Sequence, residues 1–305
     1  MGQQIIHSLT LGCIYACLTV GLTFMYGAHR SLYMAYGGVY ALGGYAAWWA
    51  IRVHQSVWVA LGLGALLCTL LGFCLFWGLR IIYARRSERA TLLGAVGLLI
   101  CLEELYRWGI GPYHIKVVAL DSYRIHHLGP LMVTNMHWFV FGCAFVLFIG
   151  IHGFLVTSRT GRALSAFLVA DPGAFLRQDA MCLRLVACGL GAALAGVGGV
   201  LTGLYLNDVH PAMGTHITHR VVGLVLIGTL GSLRGALLMA FAWALLEGTF
   251  FSATRVWVPP EASLLLALAL ASVLQSAETS REKRRRARRG RKLWRLFLPA
   301  LRNPV

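Results

Sequence analysis

The sequence predicts an all-α, polytopic membrane bundle of eight or nine spanning helices. Three observations predict it. Hydrophobic residues make up 58% of the 305 positions and charged residues only 12%, with a mean hydropathy of +0.70; a soluble domain carries about twice that charge fraction. Apolar runs of about 20 residues, the length that crosses a hydrocarbon core, recur along the chain. Within them the residues are continuously apolar rather than alternating, which excludes the strands of a membrane barrel and leaves helices, whose backbone groups are satisfied internally. The 35 glycines suit close helix–helix approach in a bilayer, where small residues bring backbones together.

The runs fall at 5–27, 32–51, 56–84, 90–110, 136–157, 181–206, 217–230, 233–253 and 258–276. The first has no Lys or Arg before it and exceeds a signal-peptide core, so it is expected to stay in the protein. The seventh is short and ends at the breaker-rich Gly228-Thr-Leu-Gly-Ser-Leu-Arg-Gly235, which fits either a short span or a re-entrant segment. The eight cysteines lie mostly inside apolar runs without a CxxC pair, as small buried residues rather than metal ligands or disulfides. No internal repeat stands out.

Cations in short loops orient such a chain. Arg85, Arg86 and Arg89 follow the third run; Arg159, Arg162, Arg177 and Arg184 follow the fifth; Arg234 follows the seventh. An Arg-rich tail follows the ninth, where eleven Lys/Arg and two Glu contribute +9 of the net +16. With nine crossings all four lie on one side, the cytoplasm, and the N-terminus lies outside. The opposite loops are poorer in cations: Arg52, then Lys116 and Arg124 with Asp121, then Arg220 with Asp208, then Arg255 with Glu261.

No Walker A pattern exists: the three lysines, Lys116, Lys283 and Lys292, stand in no Gly-Lys-Ser/Thr run. HExxH, GxSxG and paired-acid signatures are absent too, so the chain is expected not to be an enzyme and to hold no cofactor or metal. Energy for any active transport must come from ions or another subunit.

The polar island between the fifth and sixth runs bears on that choice. Ser158 or Thr160 can cap a helix beginning near Arg162, and Asp171-Pro172 offers a second start, with Asp as N-cap and Pro at the first helical position. A helix–turn–helix is expected on the cytoplasmic face; a solvated connector is the bland alternative.

Seven short motifs in order carry a resemblance: Ser8-Leu-Thr-Leu-Gly-Cys-Ile-Tyr-Ala16, Gly21-Leu-Thr-Phe-Met-Tyr-Gly27, Gly94-Ala-Val-Gly-Leu98, Ser158-Arg-Thr-Gly-Arg-Ala163, Pro211-Ala-Met-Gly214, Gly228-Thr-Leu-Gly-Ser-Leu-Arg-Gly-Ala236 and Leu245-Leu-Glu247. Over most of residues 8–250 the chain resembles the LivH-type permeases of branched-chain amino acid ABC importers, a family that includes urea and amide permeases. The resemblance implies a permease domain over 1–278 and a basic cytoplasmic tail over 279–305. It implies residence in a bacterial inner membrane with a cytoplasmic C-terminus. The implied partners are a second permease subunit, two cytoplasmic ABC ATPases that bind the ATP, and a periplasmic solute-binding protein. The loop 158–184 then couples the spans to an ATPase through Arg159, Thr160, Gly161, Arg162, Asp171, Pro172 and Ala174. The chain departs from the family pattern at Gly173-Ala174-Phe175 and Asp179, where the family has Glu-Ala-Ala and Gly. It departs again at Tyr33-Met-Ala-Tyr-Gly37, at Glu103-Glu104 and in its Arg-rich ending. The departures at Gly173 and Asp179 motivate a second reading, a membrane scaffold subunit that keeps the fold without the coupling surface.

Tyr33, Tyr36 and Tyr40 share one helix face, nearly with Gly37 and Gly44. The stripe fits a passage for a small amphipathic solute, and it fits helix packing with an interfacial aromatic belt equally well. Glu103 and Glu104 interrupt an apolar run, where an ionisable group is paired, protonated or functional. Arg107 is spaced to pair with Glu103, which leaves Glu104 for a wet cavity or a subunit interface and motivates a third reading, an ion-coupled carrier. Glu247 is expected to be paired structurally. His210, His216 and His219 beside Asp208 suit contact with a partner or water better than a metal. The tail suits anionic lipid better than nucleic acid, and no nucleic-acid partner is expected.

Overall fold

The computed structural model describes residues 2–29, 33–53, 56–83, 88–117, 125–128, 131–169, 177–228 and 233–254. The first eight apolar runs each become a helix: α1 (Gly2–His29), α2 (Tyr36–Arg52), α3 (Val57–Tyr83), α4 (Glu88–Ile110), α5 (Asn135–Thr157), α7 (Arg177–Leu206), α8 (Met213–Ile227) and α9 (Leu233–Thr254). The ninth run and the basic tail lie outside the described residues. The polar island forms α6 (Arg159–Val169). The helix starts at Arg159, ahead of the expected Arg162, because Ser158 is extended (ψ 141°) and its carbonyl already accepts the first helical bond, from Arg162 N–H at 3.0 Å. Asp171, Pro172 and Ala174 lie outside the described residues.

The all-α expectation needs one correction. β1 (Ile125–Leu128) and β2 (Leu131–Thr134) pair antiparallel, from Ile125↔Thr134 to Leu128↔Leu131. Four-residue strands around Gly129-Pro130 carry a hairpin signal that a search for 20-residue apolar runs passes over.

Among the described residues, four helical stretches are long and apolar enough to cross a membrane: Gly2–His29, Val57–Gly78, Asn135–Thr157 and Met181–Leu206. Met213–Ile227 and Gly235–Gly248 are apolar but shorter. The 15 residues of α8 rise about 22 Å, less than a hydrocarbon core of about 30 Å. Burial sorts the long helices into two kinds. In α1 and α7, 72% of the apolar window is buried, against 28% in α3 and 17% in α5. The first two therefore form the centre, and α5 presents most of its surface outward. Accordingly α7 packs on α1, α2 and α3, and α1 also packs on α9, α8 and α5.

Backbone contact makes this arrangement possible. A Cβ on Gly196 of α7 would fall on the Gly64 carbonyl of α3, and a Cβ on Gly43 of α2 would fall on the Gly196 carbonyl. Three helices meet there without intervening side chains, the geometry small residues allow in membranes. Overfilling such a contact costs about 1–3 kcal/mol. Gly196→Val is therefore expected to lower the thermal midpoint of the detergent-solubilised protein, whereas Gly62→Ala, with nothing within 4 Å of its Cβ position, leaves the midpoint unchanged or slightly raised.

Candidate functional site

At the end of the bundle that carries the α1 N-terminus, six helices, with Tyr40 the contribution of α2, part around a cavity of about 950 Å³. Its walls come from the first turns of α1, α5 and α8, from the end of α7 and from Glu247-Gly248 of α9. The opposite end of the bundle carries α6, whose Leu168 packs on Gly27 of α1. Along α1 the cavity lining runs from Gln3 to Tyr15, so Gly27 lies about 28 Å from Ser8 and about 18 Å from Tyr15.

Two polar networks face the cavity among apolar walls such as Leu11, Ile14, Met213 and Ile217. The first is ionic. Arg220 of α8 reaches Glu247 of α9 at 3.0 Å, with side chains only 15% and 18% exposed. Arg220 also donates to the Tyr15 hydroxyl of α1 at 2.7 Å, and that hydroxyl donates to the second Glu247 oxygen at 3.3 Å. The triangle ties three helices together. A buried charge without a partner is costly, and here each charge has one.

The second network runs through histidines. Thr134 N–H donates to His137 Nδ1 at 3.3 Å, which places the neutral ring's proton on Nε2. That nitrogen lies 3.3 Å from the Tyr205 hydroxyl, which in turn meets His7 Nδ1 at 2.5 Å. The networks place a cation, an anion and several hydroxyl and imidazole groups around one space. Such a lining fits a small solute with both charges and an apolar part; it holds no activated nucleophile.

The sequence-predicted path residues divide. Tyr40 lines the cavity and bonds the Thr202 side chain. Tyr33 and Tyr36 do not line it. Both are fully buried; Tyr36 donates to Leu18 O at 3.0 Å, and Tyr33 stacks on His29 with ring centroids 4.4 Å apart. Gly37 is where α2 meets α8: a Cβ there would strike the Gly214 carbonyl and the Thr218 hydroxyl. Gly44 likewise faces Met213 of α8, so four of the five stripe residues lie in packing contacts. Glu104 is not left over. Arg107 reaches it at 2.7 Å as well as Glu103 at 3.2 Å, because spacings of three and four both lie on one helix face. Its side chain is 57% exposed, outside the cavity, whereas Glu103 also accepts from Thr215 of α8 at 2.6 Å. Glu247 is paired as expected. Arg220, read in sequence as an outer-loop cation, lies instead two turns inside α8.

On α6, Leu164, Phe167 and Leu168 are buried, while Arg159, Thr160, Arg162 and Ser165 are exposed. Gly161 sits at the corner with α5, where a Cβ would meet the Phe154 carbonyl.

Asp208 and His210 at the cavity wall gather a residue that sequence reading missed. His114, beyond α4, meets Asp208 at 3.0 Å, and His210 meets it at 3.2 Å. Burial lowers the pKa of His210 from the usual imidazole value, with Asp208 opposing and His114 adding to the fall.

The model of a family described as the permease component of the branched-chain amino acid transport system matches residues 4–274. The chain is 25% identical over 253 residues to the high-affinity branched-chain amino acid transport system permease protein LivH of Escherichia coli, covering 77% of this chain and 81% of the relative. LivH of Salmonella typhimurium is 24% identical over the same shares. BraD of Pseudomonas aeruginosa, named likewise as a branched-chain amino acid permease, is 25% identical over 256 residues. No solved structure matches the chain significantly.

Removing one partner of a buried ion pair costs about 3–5 kcal/mol, whereas replacing both with apolar groups is often neutral. Arg220→Met alone is therefore expected to destabilise the protein more than Arg220→Met with Glu247→Leu. Thermal midpoints in detergent compare the two, and equal losses would dismiss the pairing as a structural tie.

Proposed function

The chain belongs to the family of permease components of branched-chain amino acid transport systems, and from that membership we propose that it moves an α-amino acid with an apolar side chain across a bilayer. The observation that carries this reading is the cavity, where Arg220 and Glu247 stand together among aliphatic walls. An amino acid zwitterion offers a carboxylate to the guanidinium and an ammonium to the carboxylate. As it enters, the two protein charges exchange each other for the two ends of the solute, so no charge is left bare. Tyr15, already bonded to both, bridges them during the exchange. Leu11, Ile14, Met213 and Ile217 receive the apolar side chain, which favours branched-chain residues over urea or simple amides.

The mechanism is alternating access, driven from outside the chain. Two cytoplasmic ABC ATPases bind the ATP, and one docks on the exposed face of α6 through Arg159, Thr160 and Arg162, together with Asp171, Pro172 and Ala174, which follow α6 in the sequence. Gly161 holds α6 against α5. A second permease subunit packs on the bundle, and the passage continues between the two. A periplasmic solute-binding protein delivers to the cavity mouth. This places the α1 N-terminus outside and the C-terminus in the cytoplasm of a bacterial inner membrane, with eight or nine crossings and the basic tail against anionic lipid. The separation of cavity and α6 at opposite ends of the bundle supports this orientation. Pairing of Glu104 with Arg107 removes the motive for an ion-coupled carrier.

Leucine-stimulated ATP hydrolysis by the complex in proteoliposomes tests the reading. A hydrogen bond to a charged group contributes about 1.5–3 kcal/mol, so Arg220→Gln is expected to raise the leucine concentration for half-stimulation about 10–100-fold. An unchanged concentration would remove this cavity from the path. Arg162→Glu is expected to reduce the ATPase recovered with the permease several-fold; full recovery would place docking elsewhere.

A further inference from the structure

We propose that His114, Asp208 and His210 form a binding site for a divalent transition-metal cation of the zinc class, set at the mouth of the cavity. The site is built by two segments far apart in sequence. Ile115 and Val209 form an antiparallel bridge, with N–H to O distances of 2.9 Å in both directions, and Val209 is fully buried. Successive residues of extended backbone point to opposite faces. The neighbours of the bridged pair, His114 on one segment and Asp208 and His210 on the other, therefore share the face away from Val209. Asn207 completes the device. It takes φ 53°, a left-handed conformation uncommon outside glycine, and so turns the chain sharply out of α7 to present Asp208.

The donor atoms suit one ion. One ligand atom from each side chain lies within 4.8 Å of the other two. His114 Nδ1 is 3.0 Å and His210 Nδ1 is 3.2 Å from the same Asp208 oxygen. Two ligands at about 2.0–2.1 Å from a tetrahedral zinc stand about 3.4 Å apart, so the observed separations close around an ion with small movements. Two imidazoles and one carboxylate favour zinc-class metals over calcium or magnesium, which take oxygen. Three protein ligands leave a fourth position; Asp208 and His210 line the cavity together with His216, whose ring centroid is 6.1 Å from that of His210. His114 is 68% exposed, so an ion reaches the site from solvent. The bound ion clamps the segment after α4 to the α7–α8 connection, and thereby fixes the cavity's rim.

The alternative is a pair of imidazole–carboxylate hydrogen bonds with no ion. Titration of Zn²⁺ into the untagged, detergent-solubilised chain, followed by calorimetry and by metal content after gel filtration, separates the two. One Zn²⁺ per chain is expected, with Mg²⁺ and Ca²⁺ failing to compete. His114→Ala and Asp208→Asn each weaken binding at least about tenfold, while His152→Ala, exposed near the far end of α5, does not. Zn²⁺ also raises the thermal midpoint of the parent chain but not of Asp208→Asn. Absence of stoichiometric Zn²⁺, or binding that both cluster variants retain in full, would overturn the site. None of the three readouts involves transport, so the result stands apart from the proposed solute.

Discussion

Direct backbone contact along α7 is the constraint on which the bundle depends. In a bilayer, helices gain nothing by hiding apolar surface from lipid, so association relies on packing and polar ties. Gly43, Gly64 and Gly196 remove the side chains that would hold α2, α3 and α7 apart. Gly21 and Gly191 do the same for α1 and α7, the Cβ position of each meeting the other's backbone carbonyl. Further along that seam the facing residues are large and polar: Tyr205 of α7 meets His7 of α1 across a hydrogen bond. The helices separate there, and the cavity is the space they leave. Along the central pair α1 and α7, the tight middle and the open end thus follow a change from small to large facing residues.

The polar groups at that open end have a second role. Arg220, Tyr15 and Glu247 join α8, α1 and α9, and His114, Asp208 and His210 join the segments beyond α4 and α7. Both sets tie elements together where apolar packing is thinnest. Groups that hold the rim in place are also those a charged solute or ion would contact, so occupancy and rim geometry are linked through the same atoms.

Much of the fold was legible in the sequence because a spanning helix writes its length into a continuous apolar run. All eight runs within the described residues became helices, and α6 was visible as a polar island with capping residues. The site was less legible. Helical periodicity put Tyr33, Tyr36 and Tyr40 on one face but could not say which neighbour that face meets; only Tyr40 reaches the cavity. Glu104 looked unpaired because one arginine was assigned one acid, whereas Arg107 holds two. Arg220 and Glu247 stand 27 residues apart, and His114 stands 94 from Asp208; no local spacing connects them. The one sequence signal was the cost of an ionisable residue among apolar neighbours, which asks for a partner without naming it.

The single-residue joint at Ser158 has a mechanical consequence. α6 joins α5 there and rests through Leu168 on Gly27 of α1, so any displacement of α6 that carried α1 with it would move the far tip of a stiff rod. A tilt of α1 by about 5° over about 28 Å sweeps that tip sideways by about 2.4 Å. A hydrogen bond does not survive such a stroke. A small tilt started at one pole of the molecule would therefore be felt most at the His7 contact at the other.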